Sequence, residues 1–159
     1  MQNDLFLKKA EYIFDTSSFI ALRKTYPEDI FVGLHKQLIP ILASGRIVVL
    51  DMVFAELKDK ELQLYDLIKS AVPKKRQFGF EDYIETTQEL IHNYYDSKGK
   101  TQNLKSDPHI IAVGKIEKLT VISEEFNSDP TKIPYVCDKE KVECMDLLEF
   151  MRKEKIKLT

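Results

Sequence analysis

Three short runs in this chain are too apolar, and too rich in aromatic and β-branched residues, to lie outside an interior. They are residues 12–14 (YIF), 46–50 (RIVVL) and 119–123 (LTVIS), and each is followed at once by an acid, Asp15, Asp51 or Glu124. All three read as buried strands, and residues 142–145 (VECM) read as another. Segments of helical period separate them. Residues 27–44 put Ile30, Phe31, Leu34, Leu38, Ile41 and Leu42 on one face, with Pro40 expected to kink or split the helix and Gly45 placed to end it. Asp51 is expected to cap a helix reaching about Ala71. Residues 80–95 carry the clearest 3.6-residue period, and their Tyr and Phe side chains read as core rather than as a base-stacking platform. Ser106-Asp107-Pro108 opens a further helix, because Asp and Ser accept orphaned first-turn N–H groups and Pro loses nothing there. Residues 146–154 have an acidic first turn and a basic last turn, as the helix dipole favours. Strands alternating with helices imply an α/β fold around a mostly parallel sheet.

A chain of 159 residues is expected to form one domain, with residues 1–10 as an N-terminal extension and 153–159 as a frayed end. The hydrophobic fraction of 43% and charged fraction of 31% suit a globular protein. No apolar run approaches the roughly 20 residues that span a bilayer, so no membrane partner is expected. The opening residues lack the basic, apolar and small-residue order of a secretory signal, and a cytoplasmic location is expected. Cys137 and Cys144 are the only cysteines; with no CxxC pair and 3 His, a structural zinc site is not expected, and reduced thiols are. A net charge of −2 speaks weakly against non-specific nucleic-acid binding. Two local stretches are basic, however: residues 73–77 (PKKRQ) and 98–105 (KGKTQNLK). Lys74, Lys75, Arg76, Lys98, Lys100 and Lys105 are either solvated loop residues or a rim that contacts phosphates.

In open α/β sheets, ligands bind beyond the carboxyl ends of the strands. Asp15 ends one strand, and Glu124 and Glu125 end another. Glu56 lies early in the helix after residues 46–50, and Asp107 opens the helix that leads into residues 119–123. Each has an ordinary explanation: a cap, a first-turn acid or a solvated loop acid. Together they are harder to dismiss, because gathered carboxylates repel one another unless a cation joins them. A set with neither Cys nor His among the ligands suits Mg²⁺ or Mn²⁺, whose remaining ligands are water and phosphate oxygens. That chemistry points to phosphodiester hydrolysis.

The segments YIFDTSSFI, VVLDMVFAELK, SDPHIIAVGK and TVISEEF resemble, in order, the acidic motifs of PIN-domain nucleases. More closely they resemble a PIN-like subfamily catalogued as a domain of unknown function, whose closing segment is similar to KIPYVC and VECMDLLEFM here. The resemblance covers residues 11–152 and implies a PIN-like three-layer fold with a central parallel sheet flanked by helices. It implies Asp15, Glu56, Asp107 and Glu125 as the catalytic and metal-holding acids, with Ser17 and Ser123 supporting them and Glu124 rivalling Glu125 for the last place. It gives Asp107 two tasks, cap and ligand. His109 stands where the family pattern has a large aromatic, and Tyr135 stands where it has an acid.

By this resemblance the chain is expected to be a Mg²⁺- or Mn²⁺-dependent endoribonuclease. Attack by water in line on phosphorus would leave a 5′-phosphate and a 3′-hydroxyl. The resemblance also implies the toxin of a toxin–antitoxin pair, with RNA as substrate, a helix-turn-helix antitoxin as partner and a homodimer as a further possibility. The alternative is a non-catalytic domain that keeps the fold. Phospho-transfer on an aspartate fits less well: one such class needs a second Asp two residues beyond the nucleophile, and Ser17 stands there.

Overall fold

The computed structural model describes residues 6–96, 106–126 and 129–157. Five strands form one sheet: β1 (Tyr12–Phe14), β2 (Ile47–Leu50), β3 (Gln77–Phe78), β4 (Thr120–Ile122) and β5 (Cys144–Met145). Their order is β3-β2-β1-β4-β5, and every pairing is parallel. In the middle, Tyr12 stands between Ile47 on one side and Thr120 on the other. Every residue of β1, β2 and β4 is buried. Strands apolar at successive positions, not alternate ones, need cover on both faces, and helices supply it.

Eight α-helices flank the sheet among the described residues: α1 (Thr16–Lys24), α2 (Val32–Ala43), α3 (Asp51–Lys60), α4 (Leu62–Ala71), α5 (Ile84–Tyr94), α6 (Asp107–Glu117), α7 (Ile133–Glu140) and α8 (Leu147–Lys153). The result is the expected α/β three-layer architecture, consistent with a PIN-like fold. No described helix is long and apolar enough to cross a membrane. The chain steps from β1 outward to β2 and β3, then returns to the other side of β1 for β4 and β5. That reversal leaves a crevice beyond the carboxyl ends of β1 and β4, where ligands of such sheets bind. Helix α6 ends in the turn that feeds β4, so its first turn lies at this same edge.

Several local expectations change. Thr16-Ser17-Ser18 is the first turn of α1, and the Asp15 carboxylate at its N-cap accepts the Thr16 N–H. Helix α2 begins at Val32, after a turn in which Ile30 and Phe31 both donate to the Pro27 carbonyl, and Ile30 is left exposed. It runs through Pro40 without splitting, and Gly45 follows its end at φ +89°. The single helix expected from Asp51 to Ala71 is two, since Glu61 leaves helical geometry and pairs with Arg23 at 2.7 Å. The break turns α4 back onto α3, and Phe54 meets Tyr65 edge to face. Residues 80–95 open with a 3₁₀ turn at Glu81–Tyr83 before α5.

The opposite edge of the sheet is tied by charge. Arg46 binds Glu11 and Glu154, and Tyr12 donates to Glu154 at 2.8 Å. Gln37 donates to the Lys157 carbonyl at 2.6 Å and accepts the Lys157 N–H at 3.2 Å. Gly114 lets α6 lie close on the sheet: a Cβ there would stand 2.9 Å from Val121 Cγ2 and 3.4 Å from Val142 Cγ1. Gly114→Ala gains helix propensity but overpacks this contact, so a net loss of about 1–2 kcal/mol is expected. Urea denaturation measures it; an unchanged or higher midpoint would show that α6 can shift freely.

Candidate functional site

Asp15 lies at the end of β1 and is 3% exposed. Its Oδ1 accepts the Thr16 N–H at 2.8 Å, and its Oδ2 accepts the Ser17 hydroxyl at 2.6 Å and the Ser123 hydroxyl at 3.2 Å. Ser123 follows β4, so the central strands deliver both an acid and its supporting hydroxyl. Ser17 and Ser123 also accept the N–H groups of Glu124 and Glu125, which shapes the chain as it leaves β4.

Glu56, one turn into α3, bridges two elements. Its Oε2 accepts the Thr16 hydroxyl at 2.6 Å, and its Oε1 accepts the Ser106 N–H at 3.0 Å. These bonds bring it beside Asp15 on one side and Asp107 on the other. Glu125 accepts the Ile133 N–H at the start of α7 at 2.9 Å, and Lys132 Nζ lies 3.8 Å from its other oxygen. Glu124 turns elsewhere: its carboxylate accepts the Leu147 N–H at the start of α8. Of the two rivals, Glu125 is therefore the one at the crevice.

Asp107 is not the cap it was expected to be. The helix starts one residue earlier, at Ser106, whose carbonyl accepts the Ile110 N–H. Glu56 already takes the Ser106 N–H, and the Ser106 hydroxyl is buried with no partner among the described residues. Asp107 becomes the first residue of α6, and no hydrogen bond holds its carboxyl among the described residues. Of the two tasks first given to it, the capping one is gone.

The acids act on one another. Burial, with the charges of Glu125 and Glu56 added, raises the Asp15 pKa to about 6 against the pull of the Ser17 and Thr16 hydrogen bonds. Asp107 is raised further, by burial first and then by Asp15, Glu125 and Glu56, with Lys132 opposing. Both effects disfavour the charged form. As the side chains stand, no three acids, histidines or cysteines among the described residues are gathered tightly enough to hold an ion. The hydrogen bonds supply the reason, since Asp15, Glu56 and Glu125 each turn oxygens toward protein donors. In donor type and charge the set matches what a hard divalent cation takes. In geometry it needs the longer Glu56 and Glu125 side chains to turn.

The basic residues fall differently. Lys74, Lys75 and Arg76 form a 3₁₀ turn before β3, at the edge opposite the acids. Arg76 donates to the carbonyls of Gly45 and Lys8, which precede β2 and β1. Through Arg76 this turn fastens loops at the far edge, away from the acids. Lys98, Lys100 and Lys105 lie outside the described residues. His109 packs edge-on against Phe80 at 5.2 Å, and its buried Nδ1 has no partner among the described residues.

Sequence reasoning missed three contributors. Thr16 orients Glu56, and its place beside Asp15 was the available signal. Lys132 bears on Glu125 and Asp107, but it caps a helix, α7, that the apolar pattern did not reveal. Tyr95 read only as part of a core stripe.

Asp107 should penalise the fold as pH rises. Its native pKa stands above the unfolded value, so the penalty is absent below about pH 4, grows from there up to the raised native pKa and levels off above it. In EDTA, Asp107→Asn should match wild type near pH 4 and exceed it by on the order of 2 kcal/mol near pH 8. Denaturation midpoints across that range test this; a difference that does not vary with pH would contradict it.

Comparison with curated proteins finds no match. The chain is similar in fold to PAE2754 from Pyrobaculum aerophilum, whose crystal structure aligns with 97% of this chain and 95% of that one, with a TM-score of 0.56 and 13% identity. The model of the family described as Domain of unknown function (DUF4411) matches residues 12–158, nearly the whole chain. The protein belongs to that family.

Proposed function

We propose that this protein is a PIN-like nuclease that hydrolyses RNA phosphodiester bonds with Mg²⁺ or Mn²⁺. One observation carries the reading. Asp15, Glu56, Asp107 and Glu125 come from four separate parts of the chain and meet at the reversal point of a parallel sheet, where Asp15 and Asp107 are held less acidic than free carboxyls. A scaffold has no use for mutually repelling charges beside its core. A cation site does, because the repulsion becomes attraction for the ion.

Asp15, Glu56, Asp107 and Glu125 are the proposed ligands. A bound Mg²⁺ or Mn²⁺ would supply Lewis acidity, making water a nucleophile at neutral pH and offsetting charge on the phosphoryl oxygens. Ser17 and Ser123 donate to the Asp15 carboxylate and hold it in place, whereas Glu56 would turn from its Thr16 bond to reach an ion. Lys132 is the proposed contact to the RNA backbone, since its charge faces the acids while its side chain stays 46% exposed. The toxin role, the helix-turn-helix antitoxin and the homodimer rest on the family resemblance of the acidic motifs. A non-catalytic domain is the second reading, favoured by the absence of three ready-gathered ligands among the described residues.

Purified protein should cut a pool of single-stranded and structured RNA in Mn²⁺ or Mg²⁺ and not in EDTA, leaving 5′-phosphates. Asp107→Asn should fold and lose about two orders of magnitude in rate or more. No cutting by the folded wild type would move the assignment to the interaction domain. Lys132→Gln should act with opposite signs on the two ligands. Mn²⁺ should bind as tightly or more tightly, because a competing positive charge is gone. Single-stranded RNA should bind more weakly, with the slope of log affinity against log salt reduced by about 0.7. Equal weakening of both would make Lys132 a structural residue.

A further inference from the structure

The Tyr95 side chain, just past the end of α5, is 2% exposed, and its hydroxyl has no hydrogen-bond partner among the described residues. A buried unpaired hydroxyl destabilises a fold, and Phe would fill the same ring pocket without that penalty. The hydroxyl sits in a particular field. The charges that bear on it most are Asp107 and Glu125, with Asp129 also acting. Burial and those acids raise its pKa, so it remains a phenol and can only donate toward them. The Ser106 hydroxyl, next to Asp107 in the chain, is also buried and unpaired. Among the described residues, two donors without partners therefore lie toward Asp107, whose carboxyl no hydrogen bond from those residues holds.

We propose that Tyr95 belongs to the acid site, donating its hydroxyl proton in a hydrogen bond to an oxygen ligand held on the Asp107 side of the cluster. This deepens the nuclease reading and rests on the cluster's being a cation site. The ligand is an oxygen with free lone pairs. It comes either from water around the ion or from a phosphate of the RNA, and Ser106 is placed to donate to the same oxygen. Tyr95 is a positioning residue: it sets where that oxygen sits, and Asp107 meets it there.

Tyr95→Phe in the full chain tests this, with three readouts: the denaturation midpoint, Mn²⁺ affinity without RNA, and kcat and KM for a single-stranded oligoribonucleotide. The midpoint should be unchanged or higher, since no internal hydrogen bond is removed. Alongside it, either the Mn²⁺ dissociation constant or the KM should rise about tenfold. A change in Mn²⁺ affinity identifies water as the source, and a change in KM alone identifies phosphate. Wild-type values for both in the variant overturn the proposal. So does a lowered midpoint, which would mean that the hydroxyl has its partner inside the chain. If wild type itself neither binds Mn²⁺ nor cuts RNA, the nuclease reading fails and takes this inference with it. Failure of Tyr95 alone shows as a wild type that does both and a variant that matches it.

Discussion

Repulsion among carboxylates is the constraint on which the site depends. Like charges in the interior repel more strongly than in water, because the effective dielectric there is about 20 rather than about 80. A protein that gathers Asp15, Glu56, Asp107 and Glu125 must hold them against that force. It does so with donors: the Thr16 and Ser106 N–H groups, the Ser17, Ser123 and Thr16 hydroxyls, and the Ile133 N–H at the start of α7. Asp107 receives none of these, and it is the acid whose pKa rises further. The site is thus held in tension, and a cation would relieve it.

The two edges of the sheet divide the work. At the edge where strands begin, Arg46, Glu154, Tyr12 and Arg76 join side chains and loop carbonyls from distant parts of the chain. Charges there are paired with opposites, which favours rigidity. At the edge where strands end, like charges meet, and the bonds around them run to short hydroxyls and helix starts. A fixed base under a strained rim is what pre-organised chemistry asks of a scaffold. The sheet order makes this possible, because the reversal beside β1 leaves the ends of β1 and β4 uncovered by a connecting helix.

The sequence was most legible where burial dictates pattern. The runs that became β1, β2 and β4 are buried at every residue, and no amphipathic alternative competes with them. The acids at their ends could be placed for the same reason. Legibility failed where side-chain bonds decide the backbone. Asp15 starts a helix through one hydrogen bond, and Glu61 breaks one where it meets Arg23. The two residues of β3 are half-buried, so no apolar run marked them. Charge position was least legible of all. PKKRQ read as either solvated loop or phosphate rim; Arg76 there is committed to backbone carbonyls, whereas among the described residues Lys132 bears on the acids across the fold.

A cation arriving at these acids must compete with their protons. Asp15 and Asp107 hold their protons more tightly than free carboxyls, so binding a divalent ion between them must displace those protons near neutral pH. Calorimetric titration with Mn²⁺ at pH 6.5, repeated in two buffers of different ionisation enthalpy, counts the protons released. Saturable binding with net proton release, lost in Asp15→Asn, is the predicted result. No binding, or binding that releases no protons, would contradict the claim that these four acids form a cation site.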